Sequence, residues 1–545
     1  MTRPFDGVLT GGVVIDGTGG PAVAADIRLD GGRITQVAPS GSLGGGGESI
    51  DVSGRAVLPG FVDIHTHADF SLPTHPSASS MVRQGVTTLV VGNCGFSPFP
   101  VGPGEHADQL RQATAIFGRD LNWQWNDLPG YAEHLAEIGI AVNVAPLVGH
   151  GALRIAVMGY ERRDATHREL ADMCSLTEES MAAGAFGMSS GLIYPPGTFA
   201  GRDELVALCR VVAAHGGIYS THMRNEGEQL LVALDEALDI AQRSGARLQL
   251  SHHKVLGRRN WGLTAISLQR IDEAIAAGAD IALDQYPYPA SSTTMLALVP
   301  GWAAEGGAGA LAARLRDPVT RAEIRTEVLD GPTDGRPKRD FEPDTVMISS
   351  VGLEEHAPFV GRRLDEIAAA VGGEPVDVML DLLGRDGAVE VVIFAIGDED
   401  IERVMAHPRV AVASDGWTMH PDEGGTPHPR SYGTFARVLQ RYVREQHLLS
   451  LPEAVRRMTS LPADRLGLPD RGRIAPGMVA DLVVLDPQRV REQATFVDPH
   501  QFATGIDDVF VAGVPVVRAG TETEARPGKV LRHTRTERER LTPWT

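Results

Sequence analysis

The sequence predicts an α/β protein: a (β/α)8 barrel of the TIM type, joined to a small β-sandwich made from both chain ends, with an insertion between barrel strands seven and eight. Three observations predict it. Eight short apolar runs, each ending in polar residues, alternate with helix-like segments through the middle of the chain. Both ends read instead as glycine-punctuated hairpins. The residues that finish the eight runs include His, Cys and Asp, as expected where barrel strands converge on one face.

Residues 1–58 form the first part of the sandwich, with IRLDGGRITQVAP as a strand, tight turn and strand. GSLGGGGES is a flexible loop. The barrel occupies 59–470. Its strands are GFVDIHTH, VTTLVVGNC, AVNVAPLVGH, AFGMSSG, GIYSTHMR, ARLQLSHHK, DIALDQYPYP and VAVASDG. ELVALCRVVAAHGG, LLVALDEALDIAQRSG and ISLQRIDEAIAAGAD carry helical periodicity between them. Residues 288–409 break the alternation and read as an insertion, or lid. Within it VEVVIFAI is a ninth strand candidate, which leaves open a reading in which Val389–Ile396 is a barrel strand. Residues 471–545 complete the sandwich through GMVADLVVLDP and VFVAGVPVVRAG, and end in a charged, solvated tail, RHTRTERERLTPWT.

A length of 545 residues suits one large barrel and a satellite domain. Fifty basic against 70 acidic residues give a net charge of −20. That disfavours nucleic acid and anionic membrane as partners, because both need a basic surface. No run of about 18 apolar residues exists to span a bilayer, and the N-terminus lacks the apolar core of a signal peptide. Three cysteines speak against a disulfide framework, and a cytoplasmic location fits. Cys174 and Cys209 sit in helical patterns and read as core residues. Oligomeric state is not legible.

His65-Thr66-His67 ends strand one, and residues i and i+2 of a strand face the same side, so both imidazoles leave together. Strand two ends in Cys94, strand five in His222, strand six in His252 and His253, and strand eight in Asp415. Each alone has an ordinary reading as a packed or hydrogen-bonded residue. Together they bring N, S and O donors to one end of the barrel, the donor set of a catalytic zinc site. His150 ends strand three as a structural or supporting residue. His420, Glu423 and His428 form a further candidate cluster in a loop that positions Arg430. Trp123 and Trp125 read either as shaping an active-site loop or as packing beneath one, with packing preferred.

GFVDIHTHAD, VGNCGFSP, SSGLIYPPG, STHMRNEG, LSHHKVLG, ASDGW, HPRSYGTFARVL and GRIAPGMVADLVVLDP together resemble the amidohydrolase superfamily, and within it the D-aminoacylase (N-acyl-D-amino-acid deacylase) family. The resemblance runs nearly end to end and implies a TIM-type metallohydrolase barrel. It implies that Cys94, His222 and His252 hold a tightly bound Zn2+, with His65, His67 and Asp415 around a second, weaker position. In LSHHK, strand alternation sends the two histidines to opposite sides, and the first, His252, is taken as the ligand. The strand-four lysine that bridges two metals in many superfamily members is missing from AFGMSSG, and Cys94 takes that place.

The implied reaction is hydrolysis of N-acyl-D-amino acids to a carboxylate and a free D-amino acid. Zinc polarises the amide carbonyl and lowers the pKa of water from ~15.7 toward ~7. Asp415 takes the water proton and passes it to the leaving amine. Tyr194, Lys254, Ser291 and Arg430 match the family's carboxylate-binding positions. Side-chain and acyl preferences stay open, since an acidic side chain needs an extra cation and an aliphatic one an apolar wall. The alternatives are a hydantoinase or other cyclic amidase, an isoaspartyl-dipeptidase-like enzyme, and a non-catalytic scaffold on the same fold.

Overall fold

The computed structural model describes residues 3–43, 48–114, 121–331 and 341–534. Residues 44–47 of the glycine loop, and the tail beyond Thr534, lie outside these residues.

The eight expected runs all carry barrel strands: β1 (Phe61–Asp63), β2 (Val86–Val91), β3 (Asn143–Pro146, continuing at Val148–Gly149), β4 (Gly187–Gly191), β5 (Ile218–His222), β6 (Arg247–Leu250), β7 (Ile281–Gln285) and β8 (Val410–Val412). Every neighbouring pair from β1 to β8 is parallel. The ring closes just past the strands, where Thr66 bridges Gly416 in parallel and Asp415 N donates to His65 O at 2.8 Å. Strand ends one and eight are therefore hydrogen-bonded neighbours, which places the HTH motif beside Asp415.

The intervening helices follow from their periodicity. In Leu230–Ser244 the buried residues are Leu230, Ala233, Leu234, Glu236, Ala237, Ile240 and Ala241, a stripe at three- and four-residue spacing that lies on the barrel. Gly245 ends the helix in the left-handed region, at φ 75°, where a side chain would be strained. Cys209 is fully buried in the helix Arg202–Ala214. Cys174 departs from expectation: it is only half-buried and touches the core from its edge.

Strands from both chain ends join one nine-stranded sheet. The junction is Ala56–Pro59 against Leu482–Leu485, antiparallel. Both expected hairpins form, with positive φ at Gly31 and Gly32 in one turn and at Ala512 and Gly513 in the other. Ile34 and the 477–478 segment exchange backbone hydrogen bonds of 2.7 and 2.9 Å, so the sheet folds over a core that includes Leu9, Ile27, Leu482 and Phe510. Pro59 leads through Gly60 directly into β1.

Between β7 and β8 lies the insertion. Val389–Ile396 is not a barrel strand: Glu390–Ile393 is the middle of an antiparallel sheet with Ser291–Thr294 and Val346–Ser350. It reads as a buried strand because the insertion has its own apolar core, with Val391 packed among residues such as Leu311, Ile348 and Leu383. No helix among the described residues is long and apolar enough to cross a membrane.

Candidate metal centre

The side chains expected at the strand ends converge. Cys94 Sγ lies 3.4 Å from His65 Nε2, 3.4 Å from His252 Nε2 and 3.7 Å from His222 Nδ1. Asp415 Oδ1 lies 3.2 Å from His67 Nε2 and 3.4 Å from His65 Nε2. His65 thus stands between two groups, one with Cys94 and His252 and one with His67 and Asp415. All six residues are buried.

Three of them sit on unusual backbone. Cys94, His252 and Asp415 have φ of 53°, 35° and 51°, in the left-handed region that costs a non-glycine residue of order 1–3 kcal/mol. Neighbouring groups hold them there. Asn93 Nδ2 donates to Thr66 O and Val90 O, pinning the turn before Cys94. Asp284, at the end of β7, accepts from His252 N at 2.6 Å and from Gln249 Nε2 at 2.7 Å. Gly191 lets β4 approach: a Cβ there would lie 2.0 Å from Cys94 O. This is the physical reason for the first glycine of GLIYPPG.

Of the two histidines in LSHHK, His252 faces the cluster, while His253 Nε2 turns away to Ser267 Oγ at 2.8 Å. The expectation of opposite sides holds for a different reason. β6 ends at Leu250, and it is the left-handed turn at His252, not strand alternation, that separates the two rings.

The sequence reading missed Glu226. Its carboxylate is 3.2 Å from His222 Nε2, 3.2 Å from His252 Nδ1 and 2.6 Å from Lys254 Nζ. Holding the far nitrogens of two imidazoles orients their near nitrogens toward Cys94. The available signal was its place four residues after His222 in HMRNE. Asp284 was also missed; it ends a barrel strand as the histidines do, and its Oδ1 is 3.4 Å from His65 Nδ1. Tyr286 is a third. Its ring lies 5.6 Å from Lys254 Nζ and 5.2 Å from the Arg430 guanidinium carbon, and its buried hydroxyl has no hydrogen-bond partner among the described residues.

Charge in the site is tightly compensated. Burial opposes a thiolate at Cys94, but the imidazoles of His65 and His252 hold its thiol well below the usual range. Burial likewise opposes ionisation of Asp415, yet Arg430 and the surrounding histidines hold it well below the usual carboxylate range. Arg430 Nη1 donates to Asp415 Oδ2 at 2.6 Å. Burial pushes the Tyr194 phenol up, so it stays a proton donor; its oxygen is 3.1 Å from Thr293 Oγ1.

These groups line a cavity of about 770 Å3 between the barrel mouth and the insertion. Nine of the ten expected site residues line it: His67, Cys94, Tyr194, His222, His252, Lys254, Ser291, Asp415 and Arg430. His65 lies beneath, fully buried. The other candidates stand apart. His150 Nε2 pairs with Glu204 at 2.7 Å, in a buried cluster with Arg154. His75 pairs with Glu423 at 3.3 Å near the surface, and among the described residues His420, Glu423 and His428 form no group that could hold a metal ion. His428 does position Arg430: its Nδ1 accepts from Arg430 N at 3.0 Å while Nε2 donates to Ala290 O at 2.9 Å. Trp125 donates to Pro98 O and packs on Trp123 and Tyr131.

The donor set fits a metal ion. A sulfur and an imidazole nitrogen on one tetrahedral zinc, at bond lengths of about 2.3 and 2.05 Å, lie about 3.5 Å apart, close to the spacings around Cys94. Soft sulfur with imidazole and carboxylate is a zinc-type combination.

Comparison with known proteins agrees. The model of the Amidohydrolase family matches residues 48–517. A D-aminoacylase of Alcaligenes xylosoxydans xylosoxydans is 37% identical over 98% of this chain and 99% of its own length. An N-acyl-D-aspartate deacylase of the same organism is 36% identical over 96% and 95%. The solved structure of the N-acyl-D-glutamate deacylase from Bordetella bronchiseptica, complexed with zinc and a phosphonate mimic of the reaction's tetrahedral intermediate, superposes with a TM-score of 0.81 at 34% identity, covering 97% of this chain and 100% of that one.

Proposed function

Because this chain belongs to the amidohydrolase family, we propose that it hydrolyses the amide bond of N-acyl-D-amino acids, releasing a carboxylate and a free D-amino acid. The observation that carries this reading is the adjacency of two things: the Cys94, His222 and His252 donors, and the Asp415–Arg430 pair, on one cavity wall. Relatives named for three D-amino-acid substrates support the substrate class.

Cys94, His222 and His252 would hold one zinc ion firmly, and His65, His67 and Asp415 a second, weaker position. Zinc bound there supplies Lewis acidity, polarising the amide carbonyl and making water acidic at neutral pH. Asp415, ionised and buried, accepts the proton of the attacking water. As the C–N bond breaks it delivers that proton to the nitrogen, which leaves as an amine. Lys254, Arg430 and the Tyr286 hydroxyl surround the place for the substrate α-carboxylate, with Ser291 and Tyr194 as further donors. The segment 288–409 acts as a lid that excludes water. A reducing, cytoplasmic setting suits a site whose buried Cys94 must stay reduced to serve as a metal ligand.

The test is metal analysis of the pure protein beside turnover of matched N-acyl-D, N-acyl-L, hydantoin and dipeptide substrates. Zinc near one equivalent with selective hydrolysis of the N-acyl-D compound is expected. Preference for the hydantoin or the dipeptide would replace this reading with the corresponding cyclic amidase or peptidase.

A further inference from the structure

We propose that Arg224 is a positioning residue for the reaction: it pins the loop 192–200 so that the Tyr194 hydroxyl stays beside His222 at the cavity wall. The inference rests on the N-acyl-D-amino-acid reading above, in which Tyr194 donates a hydrogen bond to the substrate. In STHMRNEG, His222 and Glu226 already have roles at the metal centre, and Arg224 stands between them on the same wall.

The guanidinium of Arg224 is engaged within the protein. Nε and Nη2 donate to the two carboxylate oxygens of Glu236, at 2.8 and 3.0 Å. Nη1 donates to Thr198 O at 2.9 Å, and Nη2 also to Ala200 O at 3.0 Å. These bonds occupy all three nitrogens of the planar fork, a geometry that a lysine ammonium does not reproduce. Glu236 is anchored in turn, as one of the buried residues by which the helix Leu230–Ser244 lies on the barrel. A cation fixed to the scaffold therefore grips the backbone of a loop.

The gripped carbonyls lie in and just after a short 3-10 turn, Gly197–Phe199. Carbonyls at a helix end have no partner within the helix, and a guanidinium is well suited to satisfy them. The same turn is tied to Tyr194. Thr198 N donates to Tyr194 O at 2.9 Å, and Tyr194 N donates to Gly191 O at 3.2 Å. The loop is also closely seated from below: a Cβ at Gly197 would lie 2.9 Å from Gly191 O and 3.6 Å from His150 Nδ1. A displacement of Thr198 is thereby carried to Tyr194.

Tyr194 is where such a displacement matters. Its ring stands edge-on to that of His222, with centroids 5.2 Å apart, and its oxygen is 3.1 Å from Thr293 Oγ1 of the insertion. The residue thus joins the metal centre, the cavity and the lid. Misplacing a reacting or donor group by about 1 Å is enough to cost on the order of 100-fold in rate.

The experiment is a double-mutant cycle on the zinc-loaded enzyme. It measures kcat and KM for N-acetyl-D-leucine and N-acetyl-D-glutamate in Tyr194→Phe, Arg224→Gln and the double variant, with circular dichroism and zinc content read alongside. Tyr194→Phe is expected to lower kcat/KM by about 10–100-fold, the scale of one hydrogen bond to a charged group. Arg224→Gln should retain full zinc and lower kcat/KM by about tenfold or more, with the same division between kcat and KM. Because Arg224 acts through Tyr194, the double variant should be no worse than the poorer single one. Losses that multiply overturn the proposal, and so does a loss in Arg224→Gln with none in Tyr194→Phe. Loss of zinc in Arg224→Gln also overturns it, because Arg224 then acts on His222. If Arg224→Gln does not fold, Arg224→Lys takes its place, since it keeps a charge for Glu236 without the fork; if neither folds, Arg224 serves the fold and the proposal falls. A crystal structure of the Arg224 variant reads the pin without turnover, with the Tyr194 oxygen expected to leave Thr293. If no N-acyl-D compound is hydrolysed, the deacylase reading fails, and that crystal structure decides: a displaced Tyr194 supports the pin, and an unmoved one overturns it.

Discussion

Arg430 is placed to act on both the substrate and the proton carrier. One guanidinium nitrogen is 2.6 Å from Asp415, and the group also lies against the Tyr286 ring. The family resemblance makes Arg430 a carboxylate-binding residue whose loss raises KM. The ion pair adds a second consequence, because Arg430 is the largest electrostatic support of the ionised Asp415. Arg430→Ala should therefore raise KM and lower kcat together, whereas Asp415→Asn should lower kcat by about 10²–10⁴-fold, the usual range for a general acid–base group, with a folded protein and little change in KM. Steady-state kinetics of the two variants separates these roles. Near-normal turnover by Asp415→Asn would remove it from proton transfer.

At the scale of elements, the site depends on how closely strand ends meet. The eight runs could be placed from alternation and length, since each is an apolar segment closed by polar residues. The turns that follow could not, because left-handed φ at Cys94, His252 and Asp415 is imposed by contacts from other strands. Gly191 makes one such contact possible. Gly191→Ala places a methyl group 2.0 Å from Cys94 O, so the turn carrying Cys94 must shift. The expected result is a folded protein, by circular dichroism, that retains less zinc after dialysis and turns over correspondingly less substrate. Full metal content in that variant would show that β4 can withdraw without disturbing the centre. The insertion illustrates the opposite limit of sequence reading. Val389–Ile396 has the composition of a barrel strand, and only its pairing with Ser291–Thr294 and Val346–Ser350 assigns it to the lid.

Across the whole molecule, the buried centre ties stability to metal. Four histidines, one thiol and one aspartate lie packed together on elements spread from β1 to β8. An ion bound to the folded state alone stabilises it by RT ln(1 + [L]/Kd), about 4 kcal/mol at a thousandfold excess over Kd. Stripping with a chelator should lower the melting temperature, and stoichiometric zinc should restore it, as read by differential scanning calorimetry. An unchanged melting temperature on stripping would mean that the ligands do not hold a metal tightly.

By itself the sequence determined the barrel, the two-ended β-sandwich and the His, Cys and Asp donors at the strand ends, because strand-end polarity and hairpin turns are local patterns carried by adjacent residues, while Tyr194, Lys254, Ser291 and Arg430 were singled out only by the family resemblance. The tertiary structure decided which residues stand behind the ligands. Glu226, four residues after His222, and Asp284, at a strand end, carry only a faint local signal and Tyr286 carries none; their roles are fixed by distances to side chains on other strands. It also decided the character of the cavity. Whether Arg224 is a free cation or one spent on Glu236 depends on what the folded chain brings beside it, and no spacing along the sequence records that.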